Sequence, residues 1–174
     1  MVSPNPAVNR RRPGRDGEHP RGDLGQLILL GVFLCFWILD SFVVRFSTVP
    51  FRFLPLWARL AVGGMIFSLA IAFARKGHIV ISEETLRRGR LVKEGVFGRV
   101  RHPLYLAALL FYTGLVVSTA SLVSLGVLVA IFTFYSMIAA YEEEFLLQKH
   151  GREYEDYRRR VPRWIPRLRP AVFD

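Results

Sequence analysis

The run PLYLAALLFYTGLVVSTASLVSLGVLVAIFTFYSMIAAY, residues 103–141, holds 39 consecutive residues without a single charge. As one helix rising about 1.5 Å per residue it would be about 58 Å long, roughly twice the thickness of the hydrocarbon core of a bilayer. The run must therefore fold back on itself. Ser118, Thr119, Ala120 and Ser121 form its only polar interruption near the middle. The expectation is a tight helical hairpin of two membrane spans, about 104–117 and 122–141. The first is short for a bilayer, so its start is expected below the membrane surface.

The rest of the composition agrees with a membrane protein. The chain has 174 residues, one domain by length, and is 52% hydrophobic and 13% aromatic with a formal charge of +10. A basic balance of this size points to nucleic acid or to an anionic membrane surface. The long apolar runs decide for the membrane, and no nucleic-acid partner is expected. Cys35 stands alone inside an apolar run, which excludes an internal disulfide.

Residues 1–23 are rich in Pro, Gly and Arg with almost nothing apolar to bury, and read as a disordered basic arm. The membrane domain then fills residues 24–174. Its first span covers about 24–44, is interrupted by Asp40, and lacks the cleavage pattern of a signal peptide. The second covers about 53–74, with Arg59 near its start and the pair Gly63-Gly64 inside, a device for close helix approach in lipid. Asp40 and Arg59 flank one short connection and are either part of a substrate path or, the favoured reading, a pair near the outer surface. Residues 75–101 form a polar loop in which 82–90 can make a short interfacial helix. From Glu142 a charged cytoplasmic helix carries Tyr154, Tyr157 and Val161 at helical spacing. Gly151 is expected to break or bend it and Pro162 to end it. Residues 161–166, V-P-R-W-I-P, suit a headgroup boundary.

The fold class is thus all-α and integral to the membrane: four transmembrane helices, a C-terminal hairpin and a cytoplasmic tail helix. Charge sets its orientation. Of 24 Lys and Arg, 21 fall in the arm, the central loop or the tail, which share one side of a four-span topology. The positive-inside rule places that side, and both termini, in the cytoplasm.

This topology brings two seams to one membrane face. At the first, E-G-V-F-G-R-V-R-H-P-L-Y (94–105) passes from basic loop to apolar run through Arg101, His102 and Tyr105. At the second, the run ends at Glu142-Glu143-Glu144. A His before a Pro can simply end a loop, and three Glu can simply mark an exit into water. Their arrival together on one face points to a site. No second His or Cys stands at ligand spacing from His102, so no metal is expected. Phosphate-loop and nucleophile-triad patterns are also absent.

L-V-K-E-G-V-F-G-R-V-R-H-P-L-Y (91–105), followed by E-E-E-F-L-L-Q-K-H-G-R-E-Y-E-D-Y-R-R-R-V-P-R-W-I-P (142–166), resembles the isoprenylcysteine carboxyl methyltransferase and phospholipid methyltransferase superfamily. The likeness runs over about 89–166, just under half the chain, in matching order and spacing. The first two spans match only in being hydrophobic.

The resemblance implies an integral-membrane enzyme that uses S-adenosylmethionine in a cytoplasmic-side pocket, with a lipid-like substrate entering from the bilayer. It implies that Gly89, Arg90, Leu91, Val92 and Phe97 line the cofactor, that His102, Pro103, Leu104 and Tyr105 form its floor, and that Glu142 binds it. Arg101 or His102 would meet the cofactor carboxylate, and Glu143 or His102 is the nearest candidate base. Phe97 stands where the family often has Tyr. Ile138 stands where the carboxyl methyltransferases place a substrate-associated Arg, so another cation, Arg163, would have to reach a substrate carboxylate. Otherwise the acceptor is a neutral or amine-bearing lipid, since a buried unpaired carboxylate is costly. The expected function is methyl transfer to a membrane-embedded lipid or isoprenoid-type acceptor. Phosphatidylethanolamine N-methylation is one alternative. A sterol-reductase-like membrane enzyme using a nicotinamide cofactor is a second, and a non-catalytic protein that binds anionic lipid through its arm and tail a third.

Overall fold

The structure, a computed structural model, describes residues 20–48, 53–86 and 91–173, with side chains described over 25–48, 53–80 and 91–173. Five α-helices account for most of it: α1 Pro20–Ile38, α2 Leu56–Leu86, α3 Pro103–Thr119, α4 Leu122–His150 and α5 Arg152–Arg160. Among the described residues α1 with its extension, α2 and α4 are long and apolar enough to cross a membrane, and α3 is a shorter apolar helix. Most of the arm read from the sequence, residues 1–19, lies outside the described residues, as do Gly89 and Arg90.

Helix α1 widens at Leu39–Val44 into a π-helical stretch that ends at Arg45 in the left-handed conformation, φ 54°. The widened turn buries Asp40 against the start of α4. Its carboxylate accepts from the Ser47 backbone N–H at 3.0 Å, from the Ser47 hydroxyl, and from Ser121 Oγ at 2.5 Å. The expected Asp40–Arg59 pair does not form, because hydroxyls satisfy Asp40 locally. Arg59 donates instead to the Thr119 carbonyl at 3.3 Å.

Helix α2 corrects a second expectation. It runs unbroken for 31 residues through Arg75 and Lys76 to Leu86, so there is no separate interfacial helix beginning at Ser82. Arg and Lys are good helix formers, and loss of hydrophobicity does not end a helix without a breaking residue. Small residues set how closely α2 meets α3. A Cβ on Gly63 would lie 2.2 Å from Ser118 Oγ and 3.1 Å from the Gly114 carbonyl, and one on Gly77 would lie 2.8 Å from Leu104. Gly64 faces open space, so only one member of the Gly-Gly pair makes the contact.

Helices α3 and α4 meet across two residues. Ala120 closes α3 in the left-handed conformation, and Ser121 caps α4 by accepting from the Ser124 N–H at 3.0 Å. The fold-back thus falls inside the polar interruption at 118–121. Phe33 of α1, Leu109, Tyr112 and Val116 of α3, and Ile131 and Tyr135 of α4 form the main buried cluster. Gly151, at φ 54°, separates α4 from α5, and Tyr154, Tyr157 and Val161 form a second cluster as their spacing predicts.

Placing a leucine at Gly63 should force α2 and α3 apart and cost about 1–3 kcal/mol by overpacking. Gly64→Leu, one residue away, should be nearly neutral. Thermal unfolding of both variants in detergent measures this, and equal melting would disprove the close approach at Gly63.

Candidate active site

The site lies where the loop before α3, the C-terminal part of α4 and the tail after α5 converge. Pro103 starts α3 at a position where its missing N–H costs nothing, which leaves His102 just outside the helix and Tyr105 in its first turn. Glu142 and Glu143 are not on a chain leaving the helix. α4 continues through them to His150, so both carboxylates have fixed directions about 100° apart around the axis.

That rotation gives the two residues different environments. Glu143 is buried, with 3% of its side chain exposed, whereas 41% of the Glu142 side chain is exposed. Arg163 grips Glu143 in a two-pronged pair, Nε to Oε1 at 2.8 Å and an Nη to Oε2 at 2.6 Å. His102 Nε2 lies 3.0 Å from Oε1 of the same carboxylate, so the imidazole donates there. These hydrogen bonds hold the Arg163 guanidinium above its ordinary pKa.

Arg101 has only 11% of its side chain exposed, and its Nη1 approaches Glu143 Oε2 to 3.0 Å. The approach is close enough for charge attraction but misaligned for a hydrogen bond, leaving Nε and Nη1 without hydrogen-bond partners among the described residues. Tyr154 sits beside this cluster, its phenol pushed up to about 12 chiefly by burial and further by the Glu143 charge.

Glu142 is held from one side only. Tyr105 donates its hydroxyl to Oε1 at 2.5 Å, and His102 Nδ1 lies 3.6 Å from Oε2. The Tyr105 ring stacks between His102 and Tyr135, at 5.7 and 5.1 Å between centroids.

The tail after α5 closes the arrangement. Arg101 N–H donates to the Pro162 carbonyl at 3.0 Å, Arg167 N–H to Arg99 at 3.0 Å, and Ala171 N–H to Gly98 at 2.8 Å. The Tyr157 hydroxyl donates to the Phe97 carbonyl at 2.9 Å. Residues 162–171 therefore form a strap along the loop at 97–101.

Of the candidates read from sequence, Arg101, His102, Tyr105, Glu142, Glu143 and Arg163 come together. Pro103 is buried beneath them. Leu104 points elsewhere, packing over Gly77 of α2. Leu91 joins the tyrosine cluster of the tail, and Val92 and Phe97 remain partly exposed in the loop. Two contributors were missed. Tyr135 lay in an apolar run with no signal beyond its aromatic type. Trp164, read as a headgroup-boundary residue, also lies 5.9 Å from His102 and 5.5 Å from Phe132 between ring centroids. The Arg-Trp pair after Pro162 was the available signal.

Residues 58–153 match the phospholipid methyltransferase family, and the chain belongs to it. It is 36% identical over 78 residues to protein-S-isoprenylcysteine O-methyltransferase B of Arabidopsis thaliana, covering 44% of this chain and 40% of that protein. It is 32% identical over 110 residues to protein-S-isoprenylcysteine O-methyltransferase of Schizosaccharomyces pombe, covering 62% and 46%. It is 37% identical over 105 residues to methanethiol S-methyltransferase 2 of Bradyrhizobium diazoefficiens, covering 59% and 37%. The chain thus spans about half the length of these relatives or less. No solved structure matches it. The apolar helices and these relationships together make it a membrane protein.

Removing the Glu143 charge should strand the nearly buried Arg101 guanidinium, free the partly exposed Arg163 and release the strap. Breaking such a pair costs about 3–5 kcal/mol. In Glu143→Gln, amide hydrogen exchange should rise together over 97–101 and 162–171 while α3 stays protected. Unchanged exchange in the strap would show that Glu143 does not hold it.

Proposed function

We propose that this member of the phospholipid methyltransferase family transfers a methyl group from S-adenosylmethionine to a membrane-embedded lipid or isoprenoid-type acceptor. One observation carries the reading. A half-exposed carboxylate, Glu142, stands in the same cluster as a nearly buried guanidinium, Arg101, whose Nε and Nη1 have no partner among the described residues. A zwitterionic amino-acid group needs both, an acceptor for its ammonium and a donor for its carboxylate. The residues present therefore fit the amino-acid end of S-adenosylmethionine, with Leu91, Val92 and Phe97 beside it in the loop. When bound, that cofactor supplies a methyl group on a sulfonium centre, open to in-line displacement by a nucleophile.

The chain's own part is to orient groups and exclude water. Tyr105 fixes the direction of the Glu142 carboxylate through its 2.5 Å hydrogen bond. Strap and loop cover one side of the site, and the apolar helices form the other. Glu143, a candidate base by sequence, has both oxygens engaged by Arg163, with His102 and Arg101 beside it, so we assign it to positioning. Arg163, a candidate for holding a substrate carboxylate, is bound to Glu143 for the same reason. With Ile138 in α4 offering no charge, nothing in this part of the site favours an acidic acceptor. The acceptor is accordingly a neutral or amine-bearing lipid. The family match supports methyl transfer over the membrane-reductase alternative.

The proposed topology has four crossings with both termini in the cytoplasm. α3 has 17 residues. It is therefore about 25 Å long, short of the roughly 30 Å hydrocarbon core, which recesses its seam and brings the site within reach of lipid. Single cysteines at Lys93 and in the tail, in a Cys35→Ser background, should resist an impermeant thiol reagent in intact cells. Labelling of either from outside would exclude this orientation.

Glu142→Gln should weaken S-adenosylmethionine binding about ten- to a hundred-fold, the worth of one charge-assisted hydrogen bond. Glu144, exposed and bonded to Gln148 one turn along, is the control. Calorimetry on both variants is decisive, since equal affinities would remove Glu142 from the site. In radiolabelled methyl transfer, a farnesylated cysteine with a free carboxylate should be a poorer acceptor than phosphatidylethanolamine. Efficient methylation of that acid, lost in Arg163→Ala, would reverse the assigned preference.

A further inference from the structure

The strap that covers the site has an outer surface that the methyl-transfer reading does not use. Arg160, Arg167 and Arg169 surround an open bowl of about 540 Å³, with Leu168 and Val172 on its wall. No carboxylate lines it among the described residues. Two of the arginines are fixed in place. Arg160 donates to the Val172 carbonyl at 2.8 Å and lies over the Phe173 ring, and Arg167 donates to the Arg160 carbonyl. Arg169 is exposed and makes no hydrogen bond or ion pair among the described residues.

Apolar side chains are interleaved with these charges and stand almost fully in the open: Ile165 80%, Leu168 95% and Val172 77% exposed. In water that arrangement is unfavourable. At a membrane interface it is favourable, with apolar groups in the acyl region and guanidiniums at the phosphates. The strap's position agrees. Trp164 packs on Phe132, which is itself exposed on a membrane-spanning helix. Phe132 lies ten residues before Glu142 along α4, about 15 Å at helical rise. The segment carrying Ile165 and Leu168 is therefore held against the side of the bundle, not out in solvent.

We propose that the arginine bowl holds the phosphate of an anionic phospholipid in the adjoining leaflet, with Ile165 and Leu168 entering the acyl layer. The strap is then fixed on both faces, by the Glu143 cluster beneath and by lipid outside. Inner attachment sets its register along the loop at 97–101, and outer attachment sets how firmly it covers the site. Anionic lipid content would thereby govern the strap's opening.

The test uses the full chain in nanodiscs of phosphatidylcholine, alone or mixed with phosphatidylglycerol, and reads amide hydrogen exchange over 163–173. Exchange is expected to slow in the anionic discs by about fivefold for each arginine engaged, the attraction of one basic side chain to such a surface. Arg169→Gln disturbs no internal bond and should remove about fivefold of that protection. Leu168→Ser should also reduce it, whereas Arg158→Gln, exposed on α5 but outside the bowl, should not. Equal exchange in the two discs would overturn the proposal. So would equal losses in Arg158→Gln and Arg169→Gln, which would mean diffuse attraction without a site. Inorganic phosphate that protects the strap as well in neutral discs would overturn it too, since the bowl would then be a site for a free anion.

Discussion

The buried carboxylate of Glu143 is the constraint on which the arrangement of the site depends. Desolvating a carboxylate costs several kcal/mol, and the cost is offset only when well-aligned donors surround it. Here the donors come from three places: Arg163 from the tail, His102 from the start of α3, and Arg101, by charge, from the loop. A carboxylate that must be satisfied in this way brings together segments far apart in sequence. The strap follows from Arg163, and the coverage of the loop follows from the strap.

The neighbouring carboxylate is left free for chemistry by the same geometry. One residue along an α-helix turns a side chain by about 100°. With Glu143 directed inward, Glu142 is directed toward the opening, where Tyr105 holds one of its oxygens. Identical residues side by side thus take different roles, one internal and one facing a ligand. The close approach of α2 to α3 at Gly63 and Gly77 helps, because it seats Pro103 and Leu104 and fixes where α3 begins.

Much of this was legible in the sequence. The length of the uncharged run called for a break, and α3 ends and α4 begins within the polar residues at 118–121. The charged seams named Arg101, His102, Tyr105, Glu142 and Glu143, which converge, and also Glu144, which faces outward. Other features depend on direction or on helix length, which composition does not encode. Arg75 and Lys76 interrupt the hydrophobic run, but α2 continues through them, since Lys and Arg are compatible with a helix. Charge alone could not separate Glu142 from Glu143, since only the rotation about α4 distinguishes them. Asp40 and Arg59 invited pairing by opposite charge, yet the Ser47 and Ser121 hydroxyls satisfy Asp40 instead. The sequence placed Trp164 at a headgroup boundary without showing its contact with His102, which follows from the Arg163–Glu143 pair immediately before it in the chain.

The most direct measurement is an experimental structure of the full chain bound to S-adenosylhomocysteine, which keeps the amino-acid end of the cofactor and lacks the reactive methyl group. The expected result places that end between Glu142 and Arg101, beneath the strap, with the Arg163–Glu143 pair intact. A ligand seated elsewhere, or one that binds only by displacing Arg163 from Glu143, would contradict the assignment of the two carboxylates.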